Sequence, residues 1–352
     1  MRNGPPSGGS FFFISRAILI GAGIFVALWQ PSPAWIENQY ANGVYPLWQH
    51  LISSLTLVLP FALGDLLAII ALTTIIIMVI RCFRARAWLR IALNLAMVLA
   101  IVVLWFDLSW GWNYNRAPLE TRVAYQARRI DASALERLRR ETMAHMNTLA
   151  PLAHAAHSHD FELATLHAVW LPVVQRLGDR WSPNVGAAKP TITGPFLAAS
   201  GTGGFIDPFT LEVQLSPDEL WFERPFDLAH EWTHVAAFAR EDEANYVAAL
   251  SCIRSKDPQI AYSGWFEIFM YLPPLAHYEK TAFVPQVWAD FQAVRERNAK
   301  HINLTLSRFS WRTYNAYLKT NHIASGVANY NEVTSLLLAI PRDVDGLPVL
   351  KT

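Results

Sequence analysis

Three long apolar runs in the first third of the chain constrain its fold before any other feature does. Residues 11–29 are apolar apart from Ser15 and Arg16, residues 55–80 apart from Asp65 and a few hydroxyls, and residues 91–106 apart from Asn94. Hydrocarbon offers backbone amides no hydrogen-bond partner, so an apolar run that enters a bilayer must be helical. The pattern predicts transmembrane helices at about 11–30, 56–80 and 91–111. It divides the chain into a membrane domain, 1–112, and a following domain, 113–352. Only 16% of the residues are charged, against about a quarter in a soluble chain, and the deficit falls in this first third. Trp29, Trp35, Trp105, Trp110 and Trp112 collect at predicted span ends on one side, as an aromatic belt would.

The basic residues orient the spans. The turn between the second and third runs carries Arg81, Arg84, Arg86 and Arg90 and no acid, and the N-terminus adds Arg2 and Arg16. The loop at 30–54 has neither Lys nor Arg. Cytoplasmic loops are enriched in Lys and Arg, so the arginine turn and the N-terminus are expected inside. Three spans then put everything after residue 112 outside, on the periplasmic or extracytoplasmic face of the plasma membrane. The first run also has the form of a cleavable signal peptide, with a basic start and Ser32-Pro33-Ala34 after the apolar core. Either reading leaves the following domain outside. Asp65 and Asp107 come out near the outer interface, as carboxylates at helix ends or as a polar feature facing a site. Cys82 and Cys252 fall on opposite sides and cannot pair, which excludes a disulfide scaffold. A net charge of +1 gives no footing for a nucleic-acid partner.

His230-Glu231-Trp232-Thr233-His234 is an H-E-x-x-H sequence. Residues four apart share a helix face, so both imidazoles can reach one ion, with Glu231 beside them to hold a water. Residues 227–239 read as a helix with Asp227 as N-cap after Pro225. Its neighbours Leu228, Ala229, Val235, Ala236, Ala237 and Phe238 are apolar. They argue that the helix is buried, and against two surface histidines on an amphipathic helix. A catalytic zinc has three protein ligands and one open position. Residues 240–250 look like the start of a second helix, with acids in its first turn, and supply Glu241 or Glu243 as the third ligand. Glu241 and Asn245 share a face. The chain must turn near 239–240, where no Gly or Pro marks a turn.

The remaining sequence predicts helices at 130–149 and 161–177, short strands between 190 and 215, and a mostly helical stretch to 339 broken at Pro258, Pro273, Pro274 and Pro285. The strands directly precede the H-E-x-x-H helix, where an edge strand can pair with an extended peptide. Tyr262, His277, His301, Tyr314, His322 and Tyr330 are the candidates for stabilising an oxyanion, and spacing does not choose among them.

The segment Glu241-Asp242-Glu243-Ala244-Asn245 resembles the Glu-x-x-Ala-Asp segment of gluzincin metallopeptidases. That resemblance implies that Glu241 binds zinc and that Asn245 orients a ligand from behind it. More widely, the chain resembles a family of bacterial membrane proteins known only as a domain of unknown function with a gluzincin-type motif. The matching pieces are 110–119, 207–212, 226–245, 251–264 and 314–338. It departs from the pattern at His234-Val235-Ala236-Ala237, where Gly or polar residues are expected. The resemblance implies an α-helical membrane protein in which three transmembrane helices precede a mainly α (α+β) zincin-like metallopeptidase domain. The expected cofactor is Zn²⁺ and the expected partners are the lipid bilayer and a peptide or protein substrate of the envelope or membrane. The alternatives are a non-catalytic zincin-fold sensor or envelope assembly factor, and an envelope amidase using the same site.

Overall fold

The computed structural model describes residues 8–157, 160–273, 280–321, 323 and 332–351. Helix α1 (Gly8–Leu28) leads through Pro31 and Pro33 into α2 (Pro33–Thr56), and 14–28 and 33–56 are bent by 108°. Two later helices, α3 (Leu63–Arg84) and α4 (Trp88–Ser109), are each long and apolar enough to cross a membrane, and the bent pair makes a third candidate if it is one span. Helix α1 packs on α4, where a Cβ at Gly23 would come within 2.7 Å of the Ala100 Cβ. Small residues let membrane helices approach to that degree. The turn from α3 to α4 holds Arg86 at φ 49°.

The region expected to be a loop at 30–54 is instead helical, with a π-helical stretch at Ile36–Val44. Its apolar and polar residues separate onto two faces. Val44, Leu47, Leu51 and Leu55 are exposed on one side, while Tyr45, Gln49, Ser53 and Thr56 are buried against the rest of the molecule. An apolar stripe on a helix turned away from a membrane helix suits one lying in the interface. The second span accordingly begins at Leu63 rather than 56, after the break at Pro60. Of the five tryptophans, Trp35 and Trp105 are exposed as a lipid-facing belt requires, and the others depart from it. Trp29, Trp35 and Trp112 meet edge to face at 4.9–5.8 Å, and Trp110 and Trp112 are buried.

Beyond α4 the chain is mostly helical. Helix α5 (Ala132–Ala156) starts where Asp131 accepts the Ala134 amide, and α6 (Leu163–Arg176) follows. Only two of the expected strands form, β1 (Gly204–Ile206) and β2 (Val213–Leu215), paired antiparallel with Phe205 opposite Gln214. The Thr191–Gly194 region is a turn into α7 (Gly194–Ser200), with Pro195 in its first turn. Helix α8 (Arg224–Val235) carries the H-E-x-x-H sequence. It starts before Asp227, not at it, because Pro225 is already accommodated in the first turn. Around α8 pack α6, β1, β2, α9 (Glu241–Ile253) and α10 (Pro258–Tyr271). Helices α11 (Pro285–His301), α12 (Leu304–Thr320) and α13 (Val333–Ala339) complete the described part.

Buried charge joins the spans to this core. The Glu212 carboxylate accepts the Leu63 and Gly64 amides at 2.9 Å each, the Lys189 Nζ at 2.7 Å and the Thr210 hydroxyl at 2.8 Å. A carboxylate at a helix N-terminus satisfies amides that have no intrahelical partner. Asp65 accepts the Thr191 hydroxyl at 3.0 Å and the Ile192 amide at 2.8 Å, so it is an interfacial docking group. Ser109, the last residue of α4, donates to the Pro208 carbonyl at 2.7 Å. The start of α3 and the end of α4 therefore lie against the α8 domain, and the arginine turn lies at the opposite end of both helices. Glu212→Ala leaves Lys189 buried without its carboxylate and is expected to lower stability by about 3 kcal/mol. Thermal unfolding of the detergent-solubilised protein, compared with the Glu212→Leu/Lys189→Met double variant, checks this; the double variant should be the milder.

Candidate metal centre

The end of α8 explains how the chain turns without Gly or Pro. Ala237 adopts the left-handed conformation, φ 69°. The Phe238 amide donates to the Thr233 carbonyl at 3.2 Å and the Ala237 amide to the His234 carbonyl at 3.0 Å. These are the paired bonds that close a helix on a left-handed residue, a position where Gly is usual. Groups from the N-terminal third hold the turn. Trp110 Nε1 donates to the His234 carbonyl at 3.0 Å, and the Tyr45 hydroxyl to the Val235 carbonyl at 2.8 Å. Arg116 donates to the Ala236 and Ala237 carbonyls at 3.4 and 3.2 Å and lies over the Phe238 ring. The guanidinium is itself held by both oxygens of Glu37 at 3.0 Å and by Asp179 at 3.2 Å.

The turn also sets the histidine. His234 Nδ1 donates to the Phe238 carbonyl at 2.7 Å, which leaves Nε2 as the electron-pair donor. Glu241, the first residue of α9, comes back to meet it. His230 Nε2 and His234 Nε2 are 3.0 Å apart, and Glu241 Oε2 lies 3.2 and 3.4 Å from them. Tetrahedral ligands at the usual zinc distances of about 2.0–2.1 Å stand roughly 3.3 Å apart, so the triangle fits the ion. Among the described residues this is the one His, Cys and carboxylate cluster with that spacing. The Tyr314 hydroxyl donates to the other Glu241 oxygen.

The other expected residues fall out as follows. Glu243 faces away from the histidines: it accepts the Leu119 amide at 2.8 Å and pairs with Arg122 at 3.4 Å. Asn245 lies one turn beyond Glu241 on the cavity wall, and its Oδ1 accepts the Tyr271 hydroxyl at 3.0 Å while its Nδ2 has no partner among the described residues. No hydrogen bond joins it to a histidine. Tyr262 is not at the cluster; it donates to Asp290, which also binds His154, in a separate buried group. Its place on α10 points it to the α5 and α11 side, so it is no oxyanion stabiliser here. His301 does not line the cavity, and His277, His322 and Tyr330 lie outside the described residues. Of the three candidates among the described residues, Tyr314 is the one that reaches the cluster.

Glu231 is buried and its Oε2 has no hydrogen-bond partner among the described residues. Burial pushes its carboxyl up to about 7, against the pull of the two histidines. A Cβ on Gly204 would come within 3.0 Å of Glu231 Oε1, so only Gly lets β1 pass this close. A cavity of about 1080 Å³ contains all four groups. Gly203, Gly204, Phe205 and Ile206 line it, and among the described residues β1 is paired on one edge only, with β2. A second group of acids, Glu219, Glu223, Asp227 and Glu267, lines it with Arg297. Burial raises all four, and Arg297 pairs with Glu223.

Residues 40–338 match the model of a family described as a protein of unknown function (DUF3810). The chain belongs to that family. The matched stretch starts inside α2 and ends in α13, so both spans and the whole cavity lie within it. The comparisons with curated proteins and with solved structures gave no match.

Two expectations follow from this geometry. Ala237→Val places a β-branched residue at positive φ, which costs upwards of about 1–2 kcal/mol and displaces the Phe238 carbonyl from His234. Metal affinity, measured by competition with a chromophoric chelator, should fall about 10–100-fold. The second concerns pH. In metal-free protein His234 is pushed up to about 9, where burial opposes the charged ring but Glu241 outweighs it. Glu241 is held well below its ordinary value of 4.5, burial again being outweighed by the histidines. The raised His234 contributes stability that is complete below its ordinary 6.5 and is lost as pH rises through about 9. Glu241 contributes stability that is complete above 4.5 and lost in acid. Chelator-treated protein should thus lose Tm between pH 6.5 and 9.5 by a margin that Glu241→Gln removes.

Proposed function

We propose that the protein is a membrane-anchored, zinc-dependent peptidase with a zincin-like site on the outer face of the plasma membrane. The observation that carries this reading is the triangle of His230, His234 and Glu241 with Glu231 beside it, its Oε2 without a hydrogen-bond partner among the described residues, inside one cavity. Three protein ligands suit a catalytic site, since a structural zinc takes four. A zinc ion bound there supplies Lewis acidity, which acidifies a water and polarises the scissile carbonyl. Glu231, lifted toward neutrality by burial, takes the proton of the attacking water and returns it to the leaving amine as the C–N bond breaks. Tyr314 reaches the cluster from α12, and by exchanging its bond to Glu241 its hydroxyl would donate to the carbonyl oxygen. The edge of β1 not paired with β2 offers its backbone to an extended peptide, running from Gly204 beside Glu231 to Ile206.

The placement outside rests on the four arginines at the far end of α3 and α4. The test is direct. Purified protein should contain about one equivalent of zinc and cleave peptides from a degenerate pool. Glu231→Gln should retain the metal and lose activity by about 10³-fold or more, and Tyr314→Phe should lower kcat by about 10–100-fold with little change in KM. Metal-free wild-type protein, or full hydrolysis by Glu231→Gln, would sink the reading.

A further inference from the structure

The cavity does not stop at the domain surface. Val102, Val103 and Phe106 of α4 form part of its wall, and the metal-centre residues form another part. Val102 lies seven residues before Ser109, the end of the span, or about 10 Å along the helix axis. A site built for a soluble peptide has no use for a wall that reaches so far down a membrane helix.

The rim points the same way. Asp65, the third residue of α3, is bonded to Thr191 and to the Ile192 amide, which sets the start of α7 level with the end of a span. The start of α12 is tied to α7 by the Asn303 amide on the Ala199 carbonyl at 2.9 Å. Around this level Ile192 is 63% exposed, Phe196 45%, Leu304 67% and Phe309 66%, and Val102 on α4 is 44% exposed. Large apolar side chains grouped on one rim are costly in water and at home in lipid. Phe196, Phe309 and Val102 line the cavity as well. The opening that they frame therefore faces the bilayer.

The opposite wall is polar. Trp110 binds the carbonyl of His234 at the membrane end of α8, and Asp227 lies seven residues toward the other end, about 10 Å away. Asp227, Glu219, Glu223 and Glu267 line that wall. Polarity thus runs through the cavity from apolar at α4 to acidic beyond the metal centre.

We propose that the substrate enters sideways from the bilayer, as a peptide whose scissile amide adjoins an apolar segment embedded in the membrane. The apolar segment lies along Val102, Val103 and Phe106, and the amide reaches His230, Glu231 and His234. The occupant is peptide rather than acyl chain, because β1 offers unpaired backbone along the same wall and an acyl chain has nothing to pair with it. This assignment rests on the peptidase reading above.

The test uses full-length protein in phosphatidylethanolamine and phosphatidylglycerol vesicles. Three versions of one degenerate peptide pool are compared: untailed, carrying an oligoleucine tail, and carrying a palmitoyl chain. The oligoleucine pool should be cleaved with kcat/KM higher than the untailed pool by about tenfold or more, and Val103→Trp should bring that ratio toward one. A second measurement needs no hydrolysis: a photoreactive benzoylphenylalanine in place of Val103, in the Glu231→Gln protein, should cross-link to the oligoleucine tail. Equal cleavage of tailed and untailed pools without cross-linking overturns the membrane route and leaves the peptidase reading intact. A preference confined to the palmitoyl pool overturns the peptide assignment. If no pool is cleaved, the peptidase reading fails by itself, and cross-linking at Val103 then supports or, by its absence, overturns the membrane route.

Discussion

The structure depends on how the last turn of α8 is held. A helix end leaves carbonyls without intrahelical partners, and a buried end must find them elsewhere. Here the partners are Trp110, Tyr45 and Arg116, which come from the end of a span, the interfacial helix and the segment just after the spans. Those bonds hold Ala237 in a backbone region that an L-residue with a Cβ rarely enters. The strained turn in turn delivers the Phe238 carbonyl to His234 and swings α9 back so that Glu241 meets both imidazoles. One local constraint thus sets both the tautomer of one ligand and the position of another.

The buried charges around this turn divide their work. Glu37, Asp179 and Glu243 neutralise Arg116 and Arg122, whose guanidinium groups stack on Phe238 from within the core. Taking such groups out of water is expensive, and each pair is retained only because geometry and extra hydrogen bonds offset the cost. Glu241 is differently placed: its neighbours are two histidines and a tyrosine hydroxyl, the environment in which a carboxylate can serve a cation. Adjacent acids on α9 therefore have unlike roles, fixed by which side of the helix each one leaves.

That division marks how far the sequence could be read. The pairing of His230 with His234 is a property of helical period alone, so it was legible, and so was the acidic first turn of α9. Helical period alone left Glu241 and Glu243 open, because the register of α9 against α8 is not a local property; only the likeness of Glu241-Asp242-Glu243-Ala244-Asn245 to the gluzincin segment implied Glu241, the group that lies nearest the histidines. The turn at Ala237 was opaque because the residue type argues against it; distant side chains impose it. Tyr314 could not be singled out, since its partner is 73 residues away. Helix α2 was hidden for another reason. Its π-helical stretch breaks the usual period, and its apolar stripe is exposed while its buried face is partly polar, so it reads as neither span nor soluble helix.

The line between the apolar helices and the domain that follows them is less sharp than a tether would make it. The two histidines lie on a helix whose final carbonyls are bonded to Tyr45 and Trp110, both before residue 113. A unit cut at 112 would leave the carbonyls of His234 and Val235 short of those partners beside a turn that is already strained. The His234 carbonyl would keep the Ala237 amide, but the Val235 carbonyl would lose its Tyr45 donor, and a buried group left without its partner costs about 1–3 kcal/mol. The spans are therefore more than a tether. The ends of the apolar helices nearest α8 are part of the scaffold that brings His230, His234 and Glu241 within reach of one another, and α4, which Trp110 directly follows, supplies Val102, Val103 and Phe106 to the cavity wall.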